Sequence, residues 1–140
     1  MERFSFEHFE HTADLGLRVH STDLGGLFEG AAACLFAAIV EDIAAIRPNL
    51  SFDVAISGSD REFLLFDWLR ALLQKSDEDK LVFGEFAVTM TVDGLQGTAR
   101  GEPLDPTQHA ISREVKAITY HELIVAQEDG QWLAEVIVDI

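Results

Sequence analysis

Cysteine is nearly absent: Cys34 stands alone, so no internal disulfide can form and a disulfide-stapled secreted scaffold is excluded. Long apolar runs are missing too. No segment approaches the roughly 18 consecutive apolar residues that a membrane helix needs. The opening "MERFSFEHFEH" carries Glu2, Arg3, Glu7 and Glu10 and no apolar core of signal-peptide type. The expectation is a cytoplasmic chain with no membrane partner. Internal repeats, low-complexity runs and convincing linkers are lacking, and one domain over residues 1–140 is expected. A glycine-rich phosphate loop, a paired-cysteine zinc pattern and a nucleophile elbow are lacking as well. The glycines of "GLQGTARG" fall inside a hairpin with no helix after it.

Positive charge is scarce. Ten basic residues against 25 acidic ones give 10 − 25 = −15. Such a surface repels phosphate backbones, so direct binding to RNA or DNA is not expected. It suits a basic protein partner or a cation, although much of it serves solubility alone.

What is present is globular, with 48% hydrophobic residues. "RFSFEHFEH" and "LGLRVHS" read as strands. Thr22 or Asp23 caps a helix in which Leu24, Leu27, Phe28, Ala31, Leu35 and Ile39 share one face. Gly25 and Gly26 weaken its first turn, and Cys34 reads as a packed thiol. "SFDVAIS" is a strand. Asp60 caps a second helix, "REFLLFDWLRALLQKS", with Leu64, Leu65, Trp68, Leu69 and Leu72 on its broad apolar face. Asp67 falls near the stripe of Arg70 and Gln74, where a solvated or Arg-paired carboxylate is expected. "SDEDK" reads as an acidic turn, and residues 101–113 as the longest loop. Two hairpins close the chain, each with Asp-Gly between alternating strands: "FAVTMTVDGLQGTARG" and "VKAITYHELIVAQEDGQWLAEVIVDI". The expected fold class is α+β, a mainly antiparallel sheet with two packed helices.

Few residues are candidates for chemistry. Glu10, His11 and Asp14 sit in a short connection between two strands, where carboxylates can bind a hard cation or form an Asx-turn. A single Asp holds a cation poorly. Asp139 and the Ile140 carboxylate lie side by side on the last strand and repel unless compensated or solvated. They would complete an oxygen site if the first and last strands are neighbours. Lys116 shares a strand face with Ile118, Tyr120 and Ile124, either snorkelling to water or serving a site. With Asp129-Gly130 as a two-residue turn, an unbroken hairpin sets Tyr120 opposite Asp139. Lys116 is then four residues further on, about 13 Å at about 3.3 Å per residue. His109 and His121 are acid–base candidates by type, but not obviously close together. His8 has no motif around it.

"HTADLGLRVHS", "LFEGAAACLFAAIV", "LLFDWLRALL", "GEPLDP", "VKAITYHEL" and the final "WLAEVIVDI", in this order, resemble the archease family from His11 to Ile140. The resemblance implies a small acidic protein with a divalent-metal site at Asp14, Asp139 and Ile140. Lys116 matches a lysine important in the family, and Asp67 falls in a family block. The implied role is co-activation of an RtcB-type RNA ligase in tRNA splicing and RNA repair. That ligase uses GTP to load GMP onto a histidine and passes it to an RNA 3′-phosphate; an archease promotes the loading and multiple turnover. The cofactor implied is a divalent ion, and oxygen ligands favour Ca²⁺, Mg²⁺ or Mn²⁺. Competing readings are a metal-stabilised, chaperone-like binding module, a modulator of an RNA methyltransferase, and a phosphohydrolase using His11 or His121 as base.

Overall fold

A computed structural model describes residues 3–140. Eight strands and two helices follow in chain order: β1 (Phe4–His11), β2 (Asp14–Ser21), α1 (Leu24–Ile39), β3 (Leu50–Ser57), α2 (Arg61–Asp79), β4 (Leu81–Thr91), β5 (Gly94–Pro103), β6 (Ala117–Ile118), β7 (Ile124–Glu128) and β8 (Gln131–Asp139). The antiparallel strands divide between two sheets. One runs β1-β2-β8-β6, with β7 also paired to β8; the other runs β3-β5-β4. Helix α1 packs on β1 and β2 and also on β4, while α2 touches β3, β4 and β5 as well as β6 and β7. The helices thus join the two sheets around one core, the α+β architecture that the alternating patterns predict.

The core follows from side-chain alternation. Leu15, Leu17 and Val19 of β2 face inward beside Val138, Val136 and Ala134 of β8, all buried. Leu27, Phe28, Ala31 and Leu35 of α1 and Leu65, Trp68, Leu69 and Leu72 of α2 are fully buried between them. Each large apolar side chain so buried contributes about 1.5–3 kcal/mol relative to exposure. The indole of Trp68 lies over Gly97, where a Cβ would come within 2.5 Å of the ring, and its Nε1–H donates to the Phe28 carbonyl at 3.0 Å.

Both predicted caps form. Asp23, rather than Thr22, accepts from the Gly26 amide at 2.6 Å, and Asp60 accepts from Glu62 and Phe63 at 2.9 and 3.1 Å. The acidic stretch after Lys75 is a correction: it continues α2 instead of turning. Lys75 pairs with Asp79 one helical turn on, at 2.6 Å. Lys80 then ends the helix at φ 55°, its amide bonded to the Ser76 carbonyl.

Two further corrections concern connections. In the β4–β5 hairpin the two loop residues are Val92 and Asp93, because Gly94 already pairs with Thr91. At the other hairpin Asp129 and Gly130 form the expected turn, both with positive φ, between Glu128 and Gln131. That hairpin is not continuous, however. A turn closed by the Leu123 amide on the Tyr120 carbonyl at 3.2 Å interrupts it. The interruption shifts the register so that Ala117, not Tyr120, lies opposite Asp139.

Candidate functional site

Strands β1 and β2 are joined by Thr12 and Ala13 alone, with Ala13 at φ 63° and His11 directly opposite Asp14. This hairpin lies beside the last strand: β2 pairs with β8 from Ser21↔Trp132 to Leu15↔Val138. One step further along the same register brings Asp14 to Asp139. Their side chains point to the same side of the sheet, away from the core face of Leu15 and Val138. A row His11–Asp14–Asp139–Ala117 therefore crosses four strands at one end of the large sheet.

Two of the expected oxygen-bearing residues, Asp14 and Ile140, line an open cavity of about 540 Å³ together with His11 and Arg113. Asp139 and Lys116 do not line it. Asp139 is placed beside Asp14 by strand register, and the Lys116 amide donates to the Asp139 carbonyl at 2.7 Å. Lys116 thus adjoins Asp139, which corrects the separation of about 13 Å that an unbroken hairpin implied. Its side chain is exposed.

The donor set suits a hard cation. Among the described residues no Lys or Arg nitrogen lies within 4.0 Å of the Asp14 or Asp139 carboxylate. The basic side chain nearest Asp14 is His11, whose Nδ1 is 3.8 Å from Asp14 Oδ2. That Nδ1 is buried and has no hydrogen-bond partner among the described residues. Half-buried carboxylates on adjoining strands, neither of them in a salt bridge with a Lys or Arg among the described residues, fit the oxygen coordination of a divalent ion.

The histidines sort differently from one another. His121 joins His11, their ring centroids 5.4 Å apart and nearly perpendicular. Glu122 stands between them, 3.3 Å from His11 Nε2 and 3.6 Å from His121 Nε2. Glu122 is not among the residues that sequence reasoning singles out. The one cue was its position after His121 in "TYHEL", and only the turn at residues 120–123 brings it round to His11.

His109 is structural. It is buried, its Nδ1 accepts from the Asp105 amide at 2.9 Å, and its Nε2–H donates to Glu102 Oε2 at 2.9 Å. Glu102 also accepts from the Arg47 amide at 2.8 Å. The Arg47 amide first, and His109 second, hold the Glu102 carboxyl below the usual range. His8 bonds to the Cys34 carbonyl at 2.9 Å. Burial pushes the Cys34 thiol up to about 12, as befits a packed side chain. Asp67 pairs with Arg70 at 3.8 Å and does not line the cavity at the sheet end.

Comparison with known proteins gives a consistent picture. A model of the Archease protein family matches residues 6–140. Protein archease of Pyrococcus furiosus is 41% identical over 140 residues, covering 96% of this chain and 98% of its own. Its counterpart in Sulfolobus acidocaldarius is 38% identical over 137 residues, with the same coverage. Among solved structures, protein 1598 of Methanobacterium thermoautotrophicum superposes with a TM-score of 0.84 at 37% identity over 100% of both chains. An archease from Thermotoga maritima, described as a possible chaperone, gives 0.67 at 17% identity over 96% of each chain, and shares the fold.

Proposed function

The chain belongs to the archease family, and from that premise we propose that it is an accessory activator of an RtcB-type RNA ligase, acting in the cytoplasm as one domain. In this reading it promotes the GTP-dependent guanylylation of the ligase and its multiple turnover in tRNA splicing and RNA repair, and is not itself an enzyme. The observation that carries the reading is the meeting of Asp14 and Asp139 at adjoining strand ends, with no Lys or Arg nitrogen of the described residues within 4.0 Å of either carboxylate.

Asp14, Asp139 and Ile140 would hold a divalent ion of the Ca²⁺, Mg²⁺ or Mn²⁺ class. Bound there, such an ion supplies neutralisation of phosphoryl oxygens, which is most of what phosphoryl transfer asks of a protein. The strands do the rest. Pairing of β2 with β8 fixes both aspartates before any partner arrives, so little ordering is left for the encounter. Lys116, anchored by its amide to the Asp139 carbonyl, presents an exposed ammonium that offsets phosphate or carboxylate charge during nucleotide rearrangement. A net charge of −15 leaves RNA and nucleotide on the ligase and favours a basic docking surface on that partner.

RNA ligation by the cognate RtcB-type ligase at limiting enzyme tests the reading. Wild-type protein should raise the number of turnovers, and Asp14→Ala should not. Equal stimulation by both proteins would sink it.

A further inference from the structure

Nitrogen ligands gather next to the oxygen-bearing residues. His11 closes β1, while His121 and Glu122 occupy the turn between β6 and β7, with His11 and Glu122 111 positions apart in sequence. One ligating atom from each of the three lies within 4.8 Å of the others. The distances have a chemical meaning. Bonds of about 2.0–2.2 Å in a tetrahedral zinc centre set neighbouring ligand atoms about 3.4 Å apart. Glu122 Oε2 is 3.3 Å from His11 Nε2 and Glu122 Oε1 is 3.6 Å from His121 Nε2, so each imidazole already meets the carboxylate at about the separation of two ligands on one small ion.

The other nitrogen of His11 points the same way. If Nε2 ligates, Nδ1 must carry the proton and needs an acceptor. Metal-bound imidazoles usually give that proton to a carboxylate, which fixes tautomer and ring orientation. Here Nδ1 is buried, without a hydrogen bond to any described residue, and 3.8 Å from Asp14 Oδ2. The contact of Nε2 with Glu122, the ring contact with His121 and the long approach to Asp14 leave this buried Nδ1 without a hydrogen-bond partner among the described residues.

We propose that His11, His121 and Glu122 form a second metal site, for a transition ion of the zinc class, with Asp14 as the outer partner of His11. Two imidazoles and one carboxylate select such an ion over Ca²⁺ or Mg²⁺, which prefer all-oxygen sites. Three protein ligands leave a fourth position. The side chains of His121 and Glu122 are 62% and 61% exposed, so that position faces water and is accessible to a donor atom from outside. The site is independent of ligase activation and stands whether or not that reading holds.

Titration of the full chain with Co²⁺, in a buffer that does not chelate, tests it. Tetrahedral Co²⁺ with nitrogen donors absorbs strongly in the visible, whereas an all-oxygen octahedral site is nearly colourless. Wild-type protein should bind one equivalent with the tetrahedral bands, and Zn²⁺ should displace it. His121→Ala and Glu122→Gln, at exposed positions where folding is easily verified by circular dichroism, should each weaken binding by more than the roughly 10–100-fold that loss of an outer partner costs. Asp139→Ala should leave the spectrum intact. Absence of the tetrahedral bands overturns the proposal. So does a titration that His121→Ala and Glu122→Gln leave unchanged, or one that Asp139→Ala abolishes.

Discussion

The backbone amide of Lys116 donates to the carbonyl of Asp139 across 2.7 Å, which ties an exposed basic side chain to the end of the last strand. Backbone and side chain therefore have separable roles. Lys116→Ala keeps the amide and should change unfolding free energy by no more than about 0.5 kcal/mol, as surface substitutions do. Lys116→Pro removes the donor and should cost about 1 kcal/mol or more. Urea unfolding of the two variants checks this. Equal stability of both would mean that the bond does not anchor β8.

Acid should loosen the loop over Glu102. Its carboxyl is held low by the Arg47 amide and then by His109, so the folded value lies below the unfolded one, about 4.3. A depressed carboxylate gives its full stabilisation above the unfolded value and loses it as pH falls through the folded value. Stability measured from neutral pH downward should fall through this window, and Glu102→Gln should flatten that fall while lowering stability at neutral pH. An unaltered acid profile in the variant would count against the assignment.

The thiol of Cys34 should be inert in the native protein. With its titration pushed up to about 12 by burial, only about one thiol in ten thousand is ionised at pH 8, and the thiolate is the nucleophile. A chromogenic disulfide reagent should react only after denaturant is added. Rapid modification of native protein would contradict the packing around α1.

Much of this architecture was legible in the residues themselves. The apolar spacing of α1 and α2, the caps at Asp23 and Asp60, and the Asp129-Gly130 turn are local, and local rules describe them well. The neighbourhood of Asp14 and Asp139 was conditional on strand order, which the alternation pattern alone does not decide. What escaped was the break at residues 120–123. Glu122 takes φ 55° there, a conformation usually given to glycine or asparagine, and no glycine or proline marks it. That single turn moves the register, draws Lys116 up to Asp139 and carries His121 and Glu122 to His11. The end of α2 was missed for a related reason: an ion pair, Lys75 with Asp79, outweighs the turn-like composition of "SDEDK".

Formation of the guanylylated ligase, followed with labelled GTP at limiting ligase, tests the central claim most directly. Wild-type protein should sustain repeated loading as RNA is joined. Asp139→Ala should fail to sustain it, although its fold is intact by circular dichroism. Repeated loading by Asp139→Ala at the wild-type rate would contradict a working site at Asp14, Asp139 and Ile140.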